Sequence, residues 1–435
     1  MPAQKSKSEA SLSAHTGGMT AEDILEDING HIHGPDDAFS QNRFPKLRDI
    51  LNNSLLQDGV ETPSTSDAIS APVGSPDKDF IRWFSVFASR RPKGARSSWH
   101  LCCHETTKPG NNSGSAHIFL ARSATLDLSA DTGWRDVQVV GQFCGEDSLE
   151  YRDGLLILCG HACRVFASQP TRLFLHGFYI CGSLMELWVF DRSGIYSCGS
   201  IDMRDVSADI LSLMLSYQLV ADKDLGQSTI IKRDDFGNFI TFEDATFTGL
   251  EKVYLEDSPI ALSRELVGDG TVCYGGRASN QGEWKYAVRF KWRRAQDRRE
   301  EHLLKLAKQR KVWGVVSLEY HKEIDSMANL RHGLHDGRCR RFPTGGAEAS
   351  QETHGQMGNC SIEPIIQHTE YAEDFFREPD IHLPGSFSRR QAPPHLHICP
   401  RAGPSLSRRS EGAQVTLSGC SNPPSGCVCS EYHHQ

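Results

Sequence analysis

One stretch limits what this chain can fold into more than any other. From Arg264 to Val316 it reads RELVGDGTVCYGGRASNQGEWKYAVRFKWRRAQDRREEHLLKLAKQRKVWGVV. The pattern predicts a first strand over Pro259–Leu266 that enters a Gly-Asp-Gly turn at Gly268 to Gly270. A second strand leaves through Val272 and Tyr274, and a third covers Lys285–Trp292. A basic helix follows, from about Arg294 to Arg310. Glu300, Leu303, Leu304 and Ala307 recur at i, i+3, i+4 and i+7, which puts Glu300 on the apolar face and Glu301 towards the flank. Side chains alternate along a strand, so Ala287, Arg289 and Lys291 share one face.

The 435 residues leave room for one or two domains plus tails. A net charge of -8 gives bulk electrostatics no bias towards nucleic acid. The 14 cysteines are scattered without a repeating frame, which favours reduced thiols in an intracellular protein, cytoplasmic or nuclear. The opening MPAQKSKSEASLSAH has no apolar core of a signal peptide, and no apolar run approaches the roughly 18–20 residues that cross a bilayer. No membrane association is expected. A protein partner stays open.

Taken in order, residues 1–78 read as disordered linker, rich in Ser, Asp, Gly and Pro. Two short helical patterns interrupt it: Ala21–Ile28, capped by Thr20, and Phe44–Leu56. Residues 79–100 give a helix or a strand and then a basic loop. Residues 79–258 form an α/β region. Trp134–Phe143 reads as a strand, and Leu155, Leu158, Cys159, Ala162 and Phe166 follow helical spacing. Leu173–Ile201 reads as an antiparallel meander, with a Val206–Leu219 helix packed on one face. Shorter strands are expected near Ser228–Lys232, Asn238–Phe242 and Val253–Leu255. The triplet Asp235-Phe236-Gly237 reads as a hairpin turn. Residues 259–335 hold the strand, turn and helix unit. Residues 343–435 read as a disordered low-complexity tail whose Cys and His spacing lacks paired zinc elements.

The residues 163–203, CRVFASQPTRLFLHGFYICGSLMELWVFDRSGIYSCGSIDM, resemble the fungal-type protein kinase family. Gln169, Arg172, Leu187, Trp188 and the run Phe190-Asp191-Arg192-Ser193-Gly194 carry the resemblance. It continues through Gly268-Asp269-Gly270-Thr271, Trp292, Glu300 and Trp313-Gly314-Val315, and covers about Trp134 to Leu330. The implied fold is α+β: a family-specific mixed α/β region with a β-meander, then a protein-kinase-like N-lobe, between disordered tails.

The resemblance also implies a site for ATP, with Gly268, Gly270, Thr271, Ala287, Arg289 and Glu300 as its residues. Glycines let a loop backbone approach phosphates. The strand lysine of the kinase pattern falls on Arg289, since Tyr286-Ala287-Val288-Arg289 overlays Val-Ala-Ile-Lys and Trp292 gives the same register. Glu300 is then the helix acid that pairs with it. Arginine is bulkier and favours bidentate geometry, so it does not replace lysine freely. Other readings of the same residues are an ordinary hairpin, a solvated strand end and a surface glutamate. After Gly314 the sequence has no His-Arg-Asp run and no later metal-binding Asp motif, so the chain reads as truncated before a C-lobe. ATP is expected to bind weakly at best, no metal site is expected, and this chain alone reads as an inactive pseudokinase. The alternative is a non-catalytic module that binds protein or nucleic acid through the α/β region. The basic helix is read as a solvated face, which leaves nucleic acid disfavoured.

Overall fold

The computed structural model describes residues 19–34, 77–104, 115–129, 131–145, 151–203, 207–242, 251–279, 281–294, 297–324, 339–340 and 377–385. The Phe44–Leu56 pattern lies outside them. The described residues form two eight-stranded sheets with five helices of eight or more residues packed on them. The fold is α+β.

The meander lies at the heart of the first sheet. Strands β5 (Leu175–Cys181), β6 (Leu184–Asp191) and β7 (Gly194–Asp202) run antiparallel in succession. Their alternation buries both faces. Phe178, Ile180, Met185, Leu187 and Val189 point to one core, and Leu175, Tyr179, Cys181, Trp188 and Phe190 to the other. Helix α3 (Tyr151–Ser168) connects β4 (Val137–Cys144) to β5, which pairs with it in parallel. A parallel pair needs such a crossover. Antiparallel strands β3 (Ser115–Ala121) and β2 (Ser98–His104) extend that side.

Helices cover both faces. On one lie α2 (Asp77–Ala88) and α4 (Ser207–Leu219). Phe80, Trp83, Phe84 and Phe87 of α2 recur at helical spacing and are buried, which settles the segment as helix. Ile210, Leu213, Met214 and Tyr217 of α4 join the same core. On the other face lie α3 and α1 (Ala21–Ile28).

Part of the expected N-terminal linker is therefore structured. Thr20 and Asp23 cap α1 reciprocally, at 3.1 Å and 2.8 Å. Ile24 and Ile28 are fully buried, and β1 (Ile32–His33) runs parallel beside β7. A helix this short is marginal alone. It persists because α3 offers an apolar face for it to cover.

The second sheet has the order β14-β16-β13-β12-β10-β9-β8, with β11 beside β12. Its strands are β8 (Lys232–Asp234), β9 (Gly237–Thr241), β10 (Lys252–Leu255), β11 (Ala261–Leu262), β12 (Val272–Arg277), β13 (Tyr286–Arg294), β14 (Ser317–Glu323) and β16 (Arg377–Gly385). The remaining strand, β15 (Cys339–Arg340), pairs with β1 in the first sheet. Val253, Leu255, Val272, Tyr274, Val288 and Phe290 form the core of the second sheet. Asp235-Phe236-Gly237 lies at the β8–β9 hairpin, where Asp234 Oδ1 accepts the Phe236 N–H at 2.9 Å.

Two expectations change here. Only Ala261–Leu262 of the segment Pro259–Leu266 is strand. Leu266 and Val267 turn into the core beneath α3 instead, because that core offers more burial than the sheet edge. The tail from residue 343 also supplies a central strand. Residues 377–385 fill the gap between β13 and β14, with Phe290 opposite Ile381 and Lys322 opposite Ile381 on the other side. Composition measures whether a segment can build its own core. It does not measure whether a segment can complete ladders that other strands offer.

Candidate functional site

Helix α5 (Glu300–Gln309) follows β13 and lies on the face opposite the sheet's core. Alternation sends Val288 and Phe290 into that core and leaves Arg289 and Lys291 on the α5 side. There the Arg289 guanidinium forms an ion pair with Glu300, and Lys291 Nζ lies 3.8 Å from the same carboxylate. Burial lowers the Arg289 pKa, while the charges of Cys273 and Asp269 oppose that. Ala287 is buried on the same strand. The cation and acid selected from sequence are brought together.

The neighbouring acid was placed wrongly by periodicity. Glu301 is the buried carboxylate of α5, whereas Leu303 is half exposed. Glu301 approaches His321 Nδ1 on β14 at 2.5 Å and Arg299 at 3.8 Å. Arg293 and Arg299 both pair with Glu323 at 3.0 Å. The helix therefore docks through ions rather than through leucines. A period-3.6 pattern marks the apolar stripe of a helix, and here the sheet face beneath is charged, so a charged stripe docks.

The Gly-Asp-Gly turn is held against the first sheet. The Gly268 N–H donates to Arg192 O at 2.9 Å, and the Thr271 N–H donates to Asp269 Oδ1 at 3.1 Å. Asp269 O accepts from the Trp292 N–H at 2.7 Å. The Arg192 side chain reaches under the turn. It donates to Glu265 O and lies over the Phe166 ring at 4.6 Å. A Cβ on Gly270 would stand 2.7 Å from Arg192 Nε, and its φ of +50° also favours glycine. Desolvation lowers the Arg192 pKa to about 10, against the charges of Cys163, Asp269, Glu265 and Asp27.

These contacts explain the sequence motif. Phe190 fills the core, and Asp191 Oδ1 accepts the N–H groups of Ser193 and Gly194. Arg192 reaches the Gly turn, and Gly194 lets β1 approach, since a Cβ there would lie 2.6 Å from His31 O. Gln169 and Arg172 form a second clamp. Gln169 donates to Trp134 O and Val137 O, while Arg172 donates to the carbonyls of Phe174, Val137, Gln138 and Leu225. Sequence reasoning flagged all these residues and read Asp191–Gly194 as a turn, but gave Arg192, Gln169 and Arg172 no partners. Their long-range partners cannot be read from local pattern.

Among the described residues no group of three or more His, Cys, Asp or Glu is placed to hold a metal ion, and no helix is long and apolar enough to cross a membrane. Cys159, Cys163 and Cys273 are free thiols.

An α/β region joined to a sheet whose third long strand pairs a cation with the next helix's glutamate defines a kinase-like protein. The family model of the fungal protein kinases matches residues 116–390, and the chain belongs to that family. The match starts in β3 and runs past β16, beyond the span over which motifs were legible. No curated protein and no solved structure matches the chain.

Proposed function

We propose that this chain is a fungal-type kinase-like protein that does not transfer phosphate by itself and holds ATP weakly at best. The observation that carries this reading is the Gly turn. Its Gly268 and Thr271 N–H groups are engaged inside the protein, to Arg192 O and Asp269 Oδ1. The residues present therefore fit a nucleotide phosphate poorly. A phosphate would have to displace the joint between the two sheets to reach the Gly268 N–H, and the turn's own Asp269 carboxylate to reach that of Thr271.

Two further points support it. Arg289 stands where the kinase pattern has lysine, and its ion pair with Glu300 shapes the lobe without freeing a cation for phosphate. The sequence after Gly314 has no His-Arg-Asp run. Phosphoryl transfer depends on positioning and on charge neutralisation, and both need such groups. In this reading the first sheet clamps the lobe through Arg192, so the family motif serves the architecture. The runner-up, a binding module acting through the α/β region, gains support from the concentration of arginines beside α3.

The test is equilibrium binding of a fluorescent ATP analogue, with and without magnesium, to the full chain and to Arg289→Ala. The expected result is a Kd no tighter than about 1 mM, little changed by the variant. Micromolar binding that Arg289→Ala weakens at least tenfold would overturn the reading.

A further inference from the structure

A cavity of about 690 Å³ opens beside the C-terminal end of α3. Such a volume suits a small ligand. Six arginines line it: Arg122, Arg135, Arg164, Arg172, Arg233 and Arg264. Among the described residues, Asp257 is the one carboxylate in the wall. This excess of positive charge stands out on a chain whose net charge is -8. Arg289, the cation of the kinase-like pair, is not part of the wall.

The partners of these arginines decide what the cavity lacks. Arg122 is compensated by Asp222 at 3.2 Å and Asp136 at 3.6 Å. Arg172 is fully buried and donates to four backbone carbonyls and to Gln169 Oε1, all of them neutral. A buried cation without a contacting anion is costly. Burial lowers the Arg172 pKa to about 9, the charge of Arg122 adds to this, and Asp222 opposes it. Arg135, Arg233 and Arg264 are exposed and make no ion pair with any described residue. Arg164 lies over the Trp134 ring at 5.2 Å.

We propose that this cavity binds a compact ligand carrying two or more phosphate groups. Arg172 supplies a fixed positive field from within the wall, held by the Gln169 clamp. Arg135, Arg233 and Arg264 supply exposed forks, which suit bidentate contact with phosphate oxygens. A single carboxylate or monophosphate would neutralise too little of the wall. A long nucleic acid needs an extended track, whereas this charge is gathered around one cavity.

Calorimetric titration of the full chain with inorganic tripolyphosphate tests this, with a phosphorylated polyol as a further arm to distinguish the source of the phosphates. Tripolyphosphate is expected to bind with micromolar Kd, weakening steeply as salt rises. The pair Arg135→Ser and Arg264→Ser, both exposed and without an ion pair to any described residue, is expected to weaken binding about tenfold or more while leaving the unfolding midpoint unchanged. Arg289→Ala is expected to bind tripolyphosphate as the parent does, which separates this site from the kinase-like pair. No binding at low salt, binding unchanged in the double variant, or a single-stranded oligonucleotide bound more tightly than tripolyphosphate each overturns the proposal.

Discussion

Replacing Arg192 with alanine separates the joint between the two sheets from everything else in the molecule. Arg192 is 1% exposed and its guanidinium donates to Glu265 O. A hydrogen bond from a charged donor contributes about 1.5–3 kcal/mol, and a desolvated stack on an aromatic ring about 0.5–2 kcal/mol. Against this stands the cost of burying the cation. Its Nε and Nη2 find no hydrogen-bond acceptor among the described residues, which keeps the net gain low. Removing the side chain also leaves a void beneath Gly270. The sum is a loss of about 3 kcal/mol for Arg192→Ala. Arg192→Met keeps the packing on Phe166 and removes the buried charge, so its loss is about 1 kcal/mol. Urea unfolding followed by tryptophan fluorescence measures both. Hydrogen exchange at the Gly268 and Trp292 amides reports whether the turn has come away. A loss under about 1 kcal/mol for alanine, with those amides protected as in the parent, would refute the reasoning.

Other consequences are independent of that joint. Ending the chain after residue 376 removes β16 and strips β13 of a neighbour, so exchange at those amides of residues 289–294 that face β16, which excludes Trp292, is expected to quicken at least 100-fold. Glu300→Gln is expected to cost about 1 kcal/mol in urea unfolding, since the pair is only partly buried; Lys291→Ala should cost less, because it stands farther from the acid. In native protein at pH 8, Cys159 and Cys163 are expected to resist iodoacetamide and Cys198 to react, because burial raises the first two thiols, Cys163 to about 12. The unfolded Cys163 thiol ionises near its ordinary value and the folded one higher, so the folded state keeps its proton longer. Its contribution to stability is present below about pH 9 and falls as pH rises towards 12; Cys163→Ala should flatten that part of the pH profile.

Much of the first sheet was legible because its elements are locally consistent. The meander needs only alternation and the Asp191–Gly194 turn, and α4 needs only the spacing of Ile210, Leu213, Met214 and Tyr217. Thr20 marked α1 through its cap. What escaped depends on partners far along the chain. Residues 377–385 have no pattern of their own and become strand because β13 and β14 leave a slot between them. Strand β1 is two residues long and is fixed by β7.

The site divides in the same way. Arg289 and Glu300 were selected by register and do meet. The burial of Glu301 was hidden, since it follows from His321 on a strand not yet placed when α5 is read. For the Gly turn both a phosphate loop and an ordinary hairpin stayed open, because sequence shows spacing but not occupancy. Arg192 occupies the space beneath it, 73 residues before Glu265 in the chain. The arginines of the cavity come from separate segments and share no motif, so only the fold gathers them.

The central claim concerns phosphotransfer, and one measurement addresses it directly: incorporation of labelled γ-phosphate by the purified chain, with magnesium or manganese, into itself and into a generic protein substrate. The account predicts incorporation no greater than that of heat-denatured protein. Incorporation above that background, abolished by Arg289→Ala and retained in Lys291→Ala, would contradict it.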